Sequence, residues 1–393
     1  MNTPPNRQSG YYASDLCDLS EFASLVARQM APAEVPNASD IQQNIPAYEV
    51  PALADRLEDP NERRTLMAEW ASVLNGGAGV FVLMQAQPDH GAIDDATTAY
   101  EQMIAEEKRA GRDGADHFAT AGSNDRIWNS LQKLCLAAPE TFVRYFDSPA
   151  MDAASEAWLG PNYQMTAQVN LVHPGGKAQQ AHRDYHLGFQ TAEVSATYPA
   201  HVHVLSPLMT LQGGLAHCDM TIESGPTKLL PFSQLYRPGY AAWRRDDFRA
   251  YFEENYVQLP LRKGDAIFFN PALFHAAGEN RSAEVHRMVN LLQVSSAFGR
   301  AMESVDRVAM CKALYAPLYA AWDAGDLSEA GLDAVIASSA EGYSFPTNLD
   351  TDPPVAGLAP ESQAALLRKS VLARLPEDQV TALLDQQAAR KRA

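Results

Sequence analysis

The chain lacks the marks of several protein classes. Its four cysteines, Cys17, Cys135, Cys218 and Cys311, are scattered with no C-x-x-C pair, which argues against a disulfide framework or a zinc site and fits reduced, structural thiols. No run of eighteen apolar residues occurs, so no membrane span is expected. The opening Met1-Asn2-Thr3-Pro4-Pro5-Asn6-Arg7 has neither a basic n-region nor an apolar h-region. No secretion signal is read there, and a cytoplasmic location is expected. Positive charge is scarce too, with 31 Lys and Arg against 48 Asp and Glu, a net charge of −17. Nucleic acid and anionic membrane surfaces are therefore disfavoured as partners, because both need a basic patch. A small-molecule substrate remains open, since a pocket can differ in sign from the surface around it.

At 46% hydrophobic content over 393 residues the chain can bury a large core. Residues 1–60 read as a loosely attached N-terminal arm with one short helix. From Asn61, Leu66, Met67, Trp70, Val73 and Leu74 recur at helical spacing, and Gly76-Gly77 stops that helix before the strand Val80-Phe81-Val82-Leu83. Residues 89–110 and 124–158 read mostly as helices, with aromatic stripes that belong to a core. The pattern then changes to strict alternation. Tyr163, Met165, Ala167, Val169 and Leu171 share one face of a strand, and Gln164, Thr166, Gln168 and Asn170 the other. That polar face meets either solvent or a cavity.

Residues 201–205 and 215–221 read as two strands, with Gly213-Gly214 allowing a bend between them. His201, His203 and His217 read as structural histidines. Val257–Leu261, the turn Arg262-Lys263-Gly264-Asp265 and Ala266–Phe269 read as a hairpin. The loop bearing Lys228, Arg237, Arg244 and Arg245 is either a solvated face or an attraction for an anionic group. Residues 301–393 form a helical extension whose apolar positions Leu367, Val371, Leu375, Val380, Leu383 and Leu384 pack on the barrel or pair with a second subunit, making a homodimer through these helices one option.

The chemistry gathers at Ala181-His182-Arg183-Asp184-Tyr185-His186. In an extended strand residues i and i+2 point the same way, so His182 and Asp184 present an imidazole and a carboxylate to one point. His275, in Phe274-His275-Ala276-Ala277-Gly278, is the candidate third ligand. Two histidines and one carboxylate on one face of an octahedral ion leave the opposite face open, the arrangement of non-haem Fe(II) oxygenases. A histidine hydrogen-bonded in the core is the ordinary alternative for each ring. His182 and His186 would share a face only on a helix, where they could bind zinc, but no helix start precedes them. Arg287, at the head of an apolar strand, is either a surface charge or a buried clamp for a carboxylate.

Around these residues lie Asn170-Leu171-Val172-His173-Pro174-Gly175-Gly176, Glu223-Ser224-Gly225-Pro226-Thr227, Pro231-Phe232-Ser233-Gln234, Lys263-Gly264-Asp265-Ala266-Ile267-Phe268-Phe269 and Gly278-Glu279-Asn280-Arg281-Ser282. In that order, over about residues 64–298, they resemble the phytanoyl-CoA dioxygenase family of Fe(II)/2-oxoglutarate oxygenases. The resemblance implies a double-stranded β-helix, a cupin-like jelly roll with N-terminal and C-terminal helices, filling residues 61–300. It implies Fe(II) held by His182, Asp184 and His275, and 2-oxoglutarate and O2 as co-substrates. Arg287 would grip the far carboxylate of 2-oxoglutarate, with Gln168, Asn170 and Thr166 around it. The implied reaction is hydroxylation of an unactivated C–H bond of a small molecule, with release of succinate and CO2. Asp184 favours hydroxylation over halogenation, because halogenating relatives have a small residue there; desaturation and ring closure stay open. Two departures stand out: Ala277 occupies a place where relatives have a serine, and Arg287 lies twelve residues after His275 rather than eleven. A non-catalytic barrel and a zinc hydrolase on the same ligands are the alternatives from other classes.

Overall fold

The computed structural model describes residues 10–111, 123–355 and 357–392. Its centre is a mixed sheet of eight strands in the order β1-β2-β3-β8-β6-β10-β5-β4. These are β1 (Asp40–Gln42), β2 (Ile45–Glu49), β3 (Val80–Met84), β4 (Asn124–Ile127), β5 (Gln164–Val172), β6 (Thr210–Ala216), β8 (Ala266–Phe269) and β10 (Arg287–Ser295). Only β2 and β3 run parallel; the other neighbours are antiparallel. A smaller sheet pairs β7 (Lys228–Leu230) with β9 (Phe274–Ala276). Single bridges extend it on both sides, Leu229 to Val257 and His275 to His182.

The nine-residue strands β5 and β10 are the spine. Every residue of β5 after Gln164 is buried, because helices cover one face and a cavity lies under the other. The polar face of β5 therefore does not meet solvent. Against β5 on the helical side packs Ser130–Ala137, with Pro139–Phe146, Pro149–Leu159, Arg307–Ala324 and Glu329–Ser339 in the same layer. Helices cover more of the described chain than strands do, so the expectation of a mainly β protein is corrected to a large mixed sheet with a thick helical layer. Among the described residues no helix is long and apolar enough to cross a membrane.

Several expectations change once the strands pair. The arm expected over residues 1–60 is not loose in its described part: β1 and β2 join the main sheet, and Phe22 of the helix Leu19–Val26 is fully buried. Residues 1–9 of that arm lie outside the described residues. The segment 201–205 is helical, within Ala200–Leu208; alternation over five residues is too short to separate a strand from a helix turn. Gly213 and Gly214 sit inside β6, and a Cβ on Gly213 would come within 2.7 Å of the Phe268 ring. Gly213 makes room for that ring, a Cβ on Gly214 would lie 3.1 Å from Val289, and neither marks a bend. The turn Arg262–Asp265 forms, but Ala266–Phe269 pairs with β3 and β6 instead of folding back on 257–261. In the C-terminal helices Leu367, Val371, Val380 and Leu384 are buried in the main core of the same chain.

Trp70 of the helix Pro60–Asn75 anchors this core. It stacks on Phe81 of β3 at 5.5 Å, and Phe81 stacks on Phe268 of β8 at 5.9 Å. Trp70→Ala should cost about 3–5 kcal/mol of stability, the usual range for emptying a buried large aromatic site, read by chemical denaturation. A second effect depends on pH. Burial, then Glu58 and Asp89 nearby, push the Asp147 carboxyl up to about 6. A carboxyl raised on folding binds more protons in the native state, so stability falls as pH rises from the unfolded value near 4 through 6. Asp147→Asn should raise the melting temperature by a few degrees at pH 7 and by less at pH 4, measured by calorimetry.

Candidate metal centre and its cavity

His182 and His275 lie 93 positions apart, yet their backbones face each other. His182 N donates to His275 O at 3.0 Å and His275 N donates to His182 O at 3.2 Å. Residues that exchange both bonds across an antiparallel bridge point their side chains to the same face. The two rings consequently lie 4.4 Å apart between centroids. Asp184 arrives two residues after His182, its backbone held by Pro271 O at 3.1 Å. Its carboxylate sits 3.6 Å from His182 Nε2 and 3.4 Å from His275 Nε2. One ligating atom from each of the three lies within 4.8 Å of the others.

The ring orientations suit metal binding. His182 Nδ1 contacts Gln180 O at 2.8 Å and His275 Nδ1 contacts Leu273 O at 2.9 Å. A carbonyl accepts only, so each Nδ1 carries a proton and Nε2 is the ring atom on each histidine left to face Asp184 and to ligate a metal. Burial lowers the His182 pKa, against the opposing pull of Asp184, which favours the neutral ligating form. Burial raises the Asp184 carboxyl, but His182, His275 and Gln212 outweigh it and hold the group well below the usual carboxylate range. The donor set of two imidazoles and one carboxylate fits a divalent first-row metal.

The three ligands open into a cavity of about 550 Å³ that also holds Arg287, Gln168, Asn170 and Gln212. Arg287 is 4% exposed; Nη1 donates to Ser224 O at 2.9 Å and to Gly278 O at 3.4 Å. Burial pushes its pKa down to about 10, so it stays charged. Among the described residues no carboxylate reaches it, and two carbonyls leave a planar five-donor group unfilled. The Ser224 carbonyl reaches Arg287 because Gly225, at φ +74°, closes the turn against Glu279, where a Cβ would lie 2.2 Å from the Glu279 oxygen.

The other expected contacts divide. Gln168 and Asn170 line the cavity; Gln168 Oε1 accepts from Arg126 at 2.9 Å and Asn170 Oδ1 from Asn124 at 3.0 Å. Thr166 does not reach it: fully buried, it donates to Gln293 O at 2.8 Å. It lies on the same strand face but two residues deeper. His186 is not a fourth ligand, since it opens a 3-10 turn and meets Ser206 Oγ at 3.1 Å. His217 is structural, bonded to Thr97 and Tyr145, and pushed down to about 3 by burial. Lys228, Arg237, Arg244 and Arg245 do not line the cavity; Lys228 pairs with Glu253 and Arg245 with Asp247.

Sequence reasoning missed Gln212, which donates to Asp184 Oδ2 from the middle of β6. A glutamine beside two glycines on an apolar strand was the available signal. It also missed the outer wall, where Trp128, Trp243, Phe189 and Met302 surround the opening with Arg126. These residues come from separate stretches of the chain, around 126–128, 189, 243 and 302, so no local pattern joins them. Tyr185, next after Asp184, has φ 62° and ψ 155°, a conformation that costs a bulky residue about 1–3 kcal/mol; its hydroxyl is tied to Gln293.

The phytanoyl-CoA dioxygenase (PhyH) family model matches residues 41–289, more than half of the chain. Among curated proteins, the dioxygenase trt7 of Aspergillus terreus is 29% identical over 147 residues, 37% of this chain and 46% of its own length. The dioxygenase olcK of Penicillium canescens is 29% identical over 178 residues, 44% of this chain and 52% of its own. The chain thus spans about half the length of these relatives. Among solved structures, the non-heme alpha ketoglutarate dependent carbocyclase SnoK from nogalamycin biosynthesis is 18% identical with a TM-score of 0.44, covering 60% of this chain and 86% of its own. The epimerase SnoN from the same biosynthesis is 19% identical with a TM-score of 0.38, covering 61% of this chain and 84% of its own. By the family match across its sheet and both histidine segments, the chain belongs to the phytanoyl-CoA dioxygenase family.

Proposed function

We propose that this protein is an Fe(II)- and 2-oxoglutarate-dependent oxygenase that hydroxylates an unactivated C–H bond of a small molecule, on a double-stranded β-helix formed by the large sheet and the β7–β9 sheet. The carrying observation is one cavity that holds both a pinned His182–Asp184–His275 set and a buried, carboxylate-free Arg287. A zinc hydrolase would use the three ligands but leave Arg287 without purpose. When bound, Fe(II) with 2-oxoglutarate supplies O2 activation and C–H cleavage, releasing succinate and CO2.

The chain's own residues do the rest. His182, Asp184 and His275 hold the metal on one face, and Gln212 holds the Asp184 carboxylate in register. Arg287 pairs with the far carboxylate of 2-oxoglutarate, a bidentate match that its two carbonyl contacts leave room for. Gln168 and Asn170 lie along the same wall. The substrate enters past Trp128, Trp243, Phe189 and Met302, which exclude water and favour a carbon-rich molecule. Among the described residues Asp184 is the one acidic side chain of the lining, so a cationic substrate is disfavoured.

The first test is anaerobic purification followed by addition of Fe(II), 2-oxoglutarate and then O2, with succinate as the readout. The wild type should bind both and form succinate slowly even without substrate. His182→Ala and His275→Ala should abolish Fe(II) binding, and Arg287→Ala should weaken 2-oxoglutarate by about 2–5 kcal/mol, roughly thirtyfold or more, with Fe(II) binding kept. A wild type that binds neither Fe(II) nor 2-oxoglutarate would sink the reading. Gln212→Ala, measured by Fe(II) titration, should lower metal affinity by about 10- to 100-fold while the fold is retained.

A further inference from the structure

We propose that the N-terminal helix, through Phe22 and the buried Arg183, positions the metal-binding histidines from behind; this rests on the metal-centre reading above. Phe22 does not line the cavity, and the Arg183 guanidinium is held by carbonyls behind it. The helix Leu19–Val26 also precedes the residues 41–289 that match the family.

Arg183 sits between two ligands, and strand alternation turns it away from them. Its side chain enters the protein interior, where it is 2% exposed, and Nη2 donates to Ser233 O at 2.6 Å and Tyr236 O at 2.9 Å. The guanidinium lies 5.3 Å from the Tyr240 ring and 5.1 Å from the Phe274 ring. Among the described residues no carboxylate pairs with it, so two aromatic faces and two carbonyls are its whole stabilisation. The fit is close: a Cβ on Gly239 would lie 1.9 Å from the guanidinium carbon. A group this enclosed leaves the chain at 182–184 little freedom to shift.

Phe274, one face of that sandwich, immediately precedes His275. Its other neighbour is Phe22, at 4.9 Å between ring centroids, and Phe22 also packs on Tyr236 at 5.5 Å and Phe248 at 5.1 Å. Ala181, Phe274 and Ala276 therefore face this second core while His182 and His275 face the cavity. The N-terminal segment is bound down just before the helix. Asp18 N donates to the Tyr236 hydroxyl at 2.7 Å, and Arg245 donates to Ser14 O at 2.9 Å and Cys17 O at 2.7 Å. Phe22, Phe274 and Arg183 thus form a continuous packed column reaching the backbone of both histidines. Outer supports of metal ligands commonly set affinity by orienting the ligating atoms.

The test uses the full chain and anaerobic Fe(II) titration, with Leu367→Ala, in the distant C-terminal layer, as a control for general destabilisation. Phe22→Ala should weaken Fe(II) affinity about 10- to 100-fold, Phe22→Leu should recover most of it, and Leu367→Ala should stay within about twofold of wild type. Arg183→Lys, which keeps the charge but loses the planar stacking, should weaken it as well. Coupling is reciprocal, so Fe(II) should slow hydrogen exchange over residues 19–26 of the wild type, a readout that needs no variant to fold. Fe(II) affinity in Phe22→Ala equal to the control, or exchange over 19–26 unchanged by Fe(II), overturns the inference and leaves the oxygenase reading standing. A wild type that binds no Fe(II) overturns both.

Discussion

The reciprocal pair of hydrogen bonds between His182 and His275 is the constraint on which the rest of the site depends. A metal centre needs its ligands at one point, and a loop of 93 residues closed at random would hold them there only at a large entropic cost. Here the closing is shared with sheet formation. The loop contains β6 and β8, which pair with each other in the main sheet, and β7, which pairs with the His275 strand itself, so the bridge forms as part of folding both sheets. Asp184 then follows from alternation alone.

Support for that bridge is layered. On the cavity side, carbonyls hold both Nδ1 protons and Gln212 holds the carboxylate. On the far side lie Arg183 and the aromatic core that includes Phe22 and Phe274. Buried Arg287 shows the opposite condition: it is enclosed, but its two protein partners are both carbonyls and leave its charge unpaired among the described residues. Arg183 and Arg287 are both buried cations, and what separates their roles is which surface each faces.

The acidic balance of the whole chain says little about the cavity. Among the described residues its lining includes Arg126 and Arg287 but a single carboxylate, Asp184. Lys228, Arg244 and Arg245 instead meet local partners: Glu253, the Trp243 ring at 4.0 Å and Asp247. Local sign follows burial and pairing, which net charge averages away.

Much of the site was legible in the amino-acid order. The i, i+2 spacing of His182 and Asp184, the alternation of β5 and the place of Arg287 at the head of β10 follow from the geometry of extended chain, which needs no partner to specify which side chains share a face. What needs a partner was misread. Residues 201–205 are helical because their surroundings, not their pattern, decide; 266–269 pairs with β3 and β6 rather than its own neighbour; and 40–49 joins the sheet although it looks like part of a tail. Gln212, Trp128 and Phe22 owe their roles to contacts across long sequence separations. The sequence alone determined which residues can act together on one strand; the tertiary structure decided which strands meet, because pairing is a property of two segments and the pattern of either one leaves it open.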